Sequence, residues 1–410
     1  MPQISDFAVE RWMDDHETTA THNLAETCCA SISLTDLVSL SQNTISAEQL
    51  LNPTTKQTYG AIRGSEALRS NIANLYSPSP ITKDNILVTN GGIAANFLAL
   101  YSLVKPGDHV IVQYPTYQQL YSLPRSLGAE VSLWRSDEKN GWEVNVDELR
   151  SLVTDKTKLI IINNPQNPTG AILPHSILNE IISIAKDHGL TILSDEVYRP
   201  LFHSTSTPPP PSLLTFNYPK TLVTSSTSKA YSLAGLRTGW LASPSTEILD
   251  LCASVRHYTT ISVSRIDDHI ASLALSQSTV NNILERNIAL AKGNLEILSD
   301  FVDEFSWAVK WTKPVAGTTA FLKFVDRNGR PVNDEVFCSR LMENMGVLVV
   351  PGGGCFGNGR RDENRQKGDF AGYVRIGYVC EREELVEGLK ALRKFMAEEY
   401  EKLPVMMDSE

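Results

Sequence analysis

Reactive and ligand-binding side chains gather at a few points in the middle of this sequence. Lys229 closes the run Ser225-Ser226-Thr227-Ser228-Lys229, and Arg237 and Gly239 follow it. Asp195 stands ahead of Glu196-Val197-Tyr198, while Asn164-Pro165-Gln166-Asn167-Pro168-Thr169-Gly170 places amide groups in a rigid turn. Upstream, Pro115-Thr116-Tyr117 offers an aromatic face, and Asn90-Gly91-Gly92-Ile93 opens a helical pattern whose first N–H groups suit an anion. A lysine amine condenses with an aldehyde, and a carboxylate keeps a ring nitrogen protonated so that the ring draws electrons. An arginine with hydroxyl and amide donors holds a phosphate dianion. The inventory fits a phosphorylated pyridine aldehyde better than a nucleotide, since GxGxxG after a first strand and GxxxxGK[ST] are both missing. Gly91-Gly92 alone also serves as a plain tight turn. Tyr117, near Tyr114 and Tyr121, would equally suit a core.

These residues need a scaffold that brings them to one edge. Short apolar, β-branched runs predict strands at 86–89, 110–113, 131–134, 159–163, 191–195, 222–225 and 239–242. Helical patterns lie between them at 94–103, 118–127 and 176–188, the last closed by Gly189. Alternating strand and helix predict an α/β fold with a mostly parallel seven-stranded sheet between helices. In such sheets ligands collect beyond the carboxyl ends of the strands, where the clusters above fall. Residues 245–305 read as mainly helical, and short strands and helices after Pro314 read as a smaller α+β domain. The expected division is an N-terminal segment, 1–45, packed on the small domain through Trp12 and Leu24, a large domain, 46–294, and the small domain, 295–410. Pro208 to Pro211 require a surface loop. Gly352-Gly353-Gly354-Cys355-Phe356-Gly357 reads as a flexible loop leading to Arg375 and able to close over substrate.

The motifs Asn164-Pro165-x-Asn167-Pro168-Thr169-Gly170, Asp195-Glu196-Val197-Tyr198 and Ser226-x-Ser228-Lys229-x5-Gly235-x-Arg237-x-Gly239 resemble the signature of class I/II aminotransferases, in the family's order and spacing. These are fold-type I enzymes of pyridoxal 5′-phosphate (PLP). The resemblance runs from about Tyr59 to Arg375. It implies that Lys229 forms the internal aldimine and then shuttles the Cα proton by way of a quinonoid. It implies that Asp195 pairs with the pyridine nitrogen, that Asn167 and Tyr198 hydrogen-bond the ring O3′, and that Tyr117 stacks on the ring. Gly92, Ile93, Ser226, Ser228 and Arg237 are expected around the phosphate, with Tyr59 reaching it from the neighbouring subunit of a homodimer. Arg375, in Tyr373-Val374-Arg375-Ile376-Gly377, matches the arginine whose bidentate fork grips the substrate carboxylate, with Asn167 also expected against substrate.

Two departures qualify the match. Ile93 stands where many relatives carry a polar phosphate ligand, so it offers only its backbone N–H. The segment 256–268, with Glu10-Arg11-Trp12 and Asn23-Leu24-Ala25-Glu26, is unlike the aspartate and aromatic transaminases. It is closer to a subgroup with capreomycidine synthase-like and carbon–sulfur lyase-like members of specialised metabolism. The resemblance therefore implies an aminotransferase acting on an L-amino acid and a 2-oxo acid, with a β-eliminating lyase or cyclase as the alternative. A non-catalytic relative would have no need of Lys229 and Arg375, and both are present. Arg256 and Arg265 suit either a distal carboxylate or structural ion pairs.

Composition limits the partners. The chain has 410 residues, 42% hydrophobic and 20% charged, and with 37 Lys+Arg against 47 Asp+Glu its formal charge is -10. No basic stretch tracks a phosphate backbone, so no nucleic-acid partner is expected. No apolar run approaches the roughly 20 residues that span a bilayer, and Met1-Pro2-Gln3-Ile4-Ser5-Asp6 lacks the layout of a signal peptide. The 6 cysteines form no CxxC pair and the 8 histidines form no HExxH or HxH pattern. A cytoplasmic protein with reduced thiols and no metal site is the expectation.

Overall fold

The computed structural model describes residues 4–357 and 369–406. Its main sheet has eight strands, in the order Ile86–Thr89, Gly239–Ala242, Thr221–Ser226, Thr191–Asp195, Thr157–Asn163, His109–Tyr114, Glu130–Asp137, Glu143–Val144. Neighbours are parallel from Thr221–Ser226 through Glu130–Asp137. Gly239–Ala242 runs against both its neighbours. The seven expected strands are all present. The two-residue eighth, Glu143–Val144, pairs antiparallel at the edge and is too short to leave a periodic signal.

The apolar runs are strands because both faces of the sheet are covered. Val88, Ile111, Ile160, Ile162, Ile192 and Val223 join one core cluster. The alternating Leu87, Val110, Val112, Ile161, Leu193 and Leu222 join another. Period-two alternation thus divides continuous apolar runs between two layers of helix. Ala95, Leu98 and Ala99 of the helix Gly91–Leu103 cover one face, while Leu178, Ile181 and Ile182 of His175–His188 cover the other.

A second, antiparallel sheet orders Val309–Trp311, Thr319–Phe324, Tyr373–Gly377 and Val350–Pro351. The 28-residue helix Gln277–Glu304 leads into it and runs across residue 294. In the N-terminal segment, His22–Asn23 pairs with Val347–Leu348, the Trp12 indole N–H donates to the Val349 carbonyl at 2.8 Å, and Leu24 is buried. No helix among the described residues is long and apolar enough to cross a membrane.

The expectation for residues 352–357 needs correction. Gly352–Phe356 forms a short helix, not a flexible loop. A Cβ on Gly352 would lie 2.6 Å from the Tyr373 carbonyl oxygen, so the missing side chain lets this turn seat on the neighbouring strand. Asp334 accepts the Gly353 N–H at 2.7 Å, and Phe356 is fully buried against Phe321.

Candidate active site

Strand register fixes the floor of a cavity of about 490 Å³. Asn163 sits opposite Asp195, and Asp195 opposite Thr224, each near the carboxyl end of its strand. Asp195 is buried, and its two oxygens accept from the Asn96 side-chain amide at 2.9 Å and the Val197 N–H at 3.1 Å. Thr224 Oγ1 donates to Asn96 Oδ1 at 2.6 Å, which orients that amide. Burial pushes the Asp195 carboxyl up to about 6, against the pull of these two donors. A cationic ring N–H opposite it would remove most of that penalty.

One wall is built to receive an anion. The helix Gly91–Leu103 starts at the cavity, and its N-cap residue, Asn90, makes no side-chain cap bond. A Cβ on Gly239 would stand 2.3 Å from the Gly91 carbonyl carbon, so only glycine lets the strand pass this close beneath the helix start. Gly91, at φ +78°, would with a Cβ come within 2.9 Å of Arg237 Nη2, which puts the guanidinium over the first turn. Arg237 Nη1 donates to the Ala234 carbonyl at 3.0 Å, and Ser226 Oγ accepts the Ser228 N–H at 3.2 Å. Gly92, Ile93, Ser226, Ser228 and Arg237 all border this end of the cavity.

Lys229 also lines the cavity, where its ammonium is held by a segment remote in sequence. Nζ donates to Thr27 Oγ1 at 2.7 Å, to Cys28 Sγ at 3.3 Å and to Glu26 Oε1 at 3.4 Å. Burial works against the charge on Lys229, but Cys28, Glu26 and Tyr198 outweigh it and the ammonium is held above its ordinary range. Burial pushes the Cys28 thiol up to about 11, so Glu26 is the group that carries the negative charge. Burial raises the Glu26 carboxyl as well, yet Lys229 and hydrogen bonds from Cys28 and Thr27 bring it down to about 2.

Arg375 enters from the small sheet, paired with Phe321 and Val350. It is 3% exposed, Nη2 donates to the Ala25 carbonyl at 2.8 Å, and Nη1 lies 3.5 Å from Asn167 Oδ1. Among the described residues its Nε has no hydrogen-bond partner. Its guanidinium lies over the Phe356 ring, 5.4 Å from the centroid. The Asn167 N–H donates to Asn163 Oδ1 at 2.7 Å, which sets the turn. Tyr198 is buried beside Lys229, with burial raising its phenol. Tyr117 donates its hydroxyl to Glu10 Oε1 at 2.6 Å.

A single chain therefore gathers Lys229, Asp195, Asn167, Tyr198, Tyr117 and Arg375 with the anion pocket, but not Tyr59, which is 82% exposed outside this cavity. Arg256 and Arg265 do not reach it either. Arg256 is buried and donates to the carbonyls of Val88 and Ile62. Arg265 Nη1 donates to the Lys56 carbonyl at 3.0 Å and Thr58 Oγ1 at 3.1 Å, fixing the segment before Tyr59. Sequence reasoning missed Asn96, Thr27 and the pairing of Glu26. An asparagine inside the apolar helix Gly91–Leu103 was the available signal, because a polar side chain buried there needs a partner.

The donor set fits a phosphorylated pyridine aldehyde. An uncapped helix start with Arg237 suits the phosphate, Asp195 the ring nitrogen, and Lys229 the aldehyde carbon.

Comparison with known proteins agrees. The family model for aminotransferase class I and II matches residues 33–392. Capreomycidine synthase of Streptomyces vinaceus is 29% identical over 333 residues, 81% of this chain and 79% of that protein. The (5-formylfuran-3-yl)methyl phosphate transaminase of Methanocaldococcus jannaschii is 29% identical over 83% of this chain and 84% of its own length. Among solved structures, a PLP-dependent aminotransferase from Streptococcus suis 89-1591 superposes with a TM-score of 0.86 at 39% identity, covering 100% of both chains. The PLP-dependent cyclase OrfR does so at 0.81 and 26% identity, covering 97% of this chain and 99% of its own. The chain belongs to the class I and II aminotransferases, a fold-type I family of PLP-dependent enzymes.

Proposed function

We propose that this chain moves the amino group of an L-amino acid to a 2-oxo acid, with Lys229 as its catalytic residue. The observation that carries this reading is the meeting of Lys229, Asp195 and Arg375 in one cavity, drawn from the large sheet and the small one. Bound PLP supplies an aldehyde and an electron-withdrawing ring. Asp195, held by Asn96 and the Val197 N–H, keeps the ring nitrogen protonated. Ser226, Ser228, Arg237 and the N–H groups of Gly92 and Ile93 would hold the phosphate, and Asn167 and Tyr198 would serve the ring hydroxyl. Arg375 grips the α-carboxylate, which satisfies its unpaired Nε. Lys229 Nζ, as the uncharged amine, would take the proton from Cα and deliver it to the carbon that had been the aldehyde's, a general acid–base role.

A second reading is a lyase or cyclase acting by β-elimination. The names of two relatives favour it, one a synthase and one a cyclase. One experiment separates the readings. Enzyme loaded with PLP is given an amino acid without an acceptor. Transamination yields one equivalent of 2-oxo acid per site and stops until a 2-oxo acid is added. Continued turnover with release of ammonia, or of a thiol, would replace it with elimination.

The working form is a cytoplasmic homodimer of specialised metabolism, with the residue divisions 1–45, 46–294 and 295–410 set out above. The exposure of Tyr59, together with Ile62, Tyr258, Ile261 and Ile266, supports a face covered by a second copy whose phosphate pocket Tyr59 completes.

A further inference from the structure

The segment Glu26-Thr27-Cys28 reaches Lys229 from the N-terminal part of the chain, and its backbone is fixed on both sides. Thr318 Oγ1 donates to the Thr27 carbonyl at 2.7 Å, and the Cys29 N–H donates to the Lys229 carbonyl at 3.2 Å. Glu26 Oε1 accepts the Thr27 N–H at 2.6 Å. Thr27 is buried and lines the cavity. Its hydroxyl is the nearest of the three acceptors around Lys229 Nζ, at 2.7 Å against 3.3 Å for Cys28 Sγ and 3.4 Å for Glu26 Oε1. The same hydroxyl faces Tyr198, where burial raises the phenol and Lys229 and Thr27 oppose the rise.

A lysine nitrogen joined to an aldehyde carbon keeps at most one hydrogen, so this set of contacts belongs to the amine once it has left that carbon. The released amine swings on a long flexible stem, and ordering it costs rotamer entropy. As the uncharged amine, Nζ has two hydrogens to give and one lone pair to receive a proton. A hydrogen given to Thr27 restricts where that lone pair can turn. A neutral acceptor suits the task, because a carboxylate at the same distance would favour the ammonium, which has no lone pair. We propose that Thr27 is a positioning residue, its hydroxyl receiving the Lys229 amine after the substrate's amine has displaced it and holding Nζ within reach of Cα. The Cα–H bond then breaks, the proton passes to Nζ and the electron pair stays with the substrate. This role rests on the reading of Lys229 as the group that moves the proton, a step that amino transfer and elimination share.

The test follows exchange of the Cα hydrogen for deuterium by proton NMR, with PLP-loaded enzyme in deuterated water and each of the common L-amino acids in turn. The amino acid that exchanges fastest serves for the variants. At saturation Thr27→Val should exchange about 10- to 100-fold more slowly than the parent, the scale of an amine misplaced by about 1 Å, with the half-saturating concentration unchanged. Borohydride should trap as much PLP on Lys229 of this variant as on the parent, which separates positioning from failure to fold or to bind the cofactor. Thr27→Ser returns the hydroxyl and should restore exchange to near the parent's rate. Thr27→Ala also removes the hydroxyl, and it carries the comparison where the valine variant does not fold. Exchange at the parent's rate without the hydroxyl overturns the role. Equal slowing in Thr27→Ser does so too, by assigning the effect to packing, as does loss of the trapped adduct in both the valine and alanine variants. Lys229→Ala controls for the underlying reading. Exchange that persists in it, or no exchange of any amino acid by the parent, removes that reading and the role of Thr27 with it.

Discussion

Asn96 and Asp195, 99 positions apart in the chain, meet at 2.9 Å inside the protein, amide to carboxylate. The Asp195 carboxylate is therefore oriented by a helix packed on the sheet, and Thr224 fixes that helix residue in turn. Asn96→Leu removes a donor from Asp195 and leaves the Thr224 hydroxyl without its acceptor. The expected outcome is a loss of about 1–3 kcal/mol of stability and weaker hold on PLP. Chemical denaturation and cofactor fluorescence titration measure the two effects. Unchanged PLP affinity would show that Asn96 has no part in positioning Asp195.

Asp195 gives the cofactor-free chain a pH signature. Its folded carboxyl lies at about 6 against an ordinary 3.8, so the native state holds the proton more tightly than the unfolded one. Stability from this group is present below pH 3.8 and declines as pH rises towards 6. Asp195→Asn removes that decline. The difference in Tm between variant and parent, both free of PLP, should grow in favour of the variant from about pH 4 to about pH 6. A constant difference would contradict the raised value.

Glu26 acts on Lys229 in the opposite sense, since its charge holds the ammonium in place. In Glu26→Gln the amine gives up its proton more readily. Covalent capture of PLP, trapped by borohydride reduction and read by mass, should reach half its plateau at a lower pH than in the parent. Lys229→Ala should show no trapped adduct at any pH. A pH midpoint unmoved in Glu26→Gln would mean that Thr27 and Cys28 suffice.

Arg375 tests the carboxylate grip. Arg375→Lys keeps the charge but loses the two-pronged fork and its stacking over Phe356. KM for the amino acid should rise about 10- to 100-fold, the scale of one charge-assisted pair, with a smaller change in kcat. Steady-state kinetics with one amino acid decide it, and an unaltered KM would move the carboxylate site elsewhere.

The strands that carry the chemistry are legible in the linear chain. Six of the seven apolar runs are buried along nearly their whole length, 131–134 being part-exposed, and the motifs that end them put Asn167, Asp195 and Lys229 at one rim. Periodicity and turn chemistry are local properties, and they survive being read along a line. Residues 352–357 escape such a reading because a glycine run signals freedom locally, whereas here the missing side chains permit close packing on Tyr373. It took the folded molecule to bring Asn96 under Asp195, to set Glu26 against Lys229 across 203 positions, and to place Glu10 and Glu17 in one cavity with Arg375. Such contacts depend on how the N-terminal segment and the small sheet dock on the large one, and docking is settled by the shape of buried surfaces that no local pattern records.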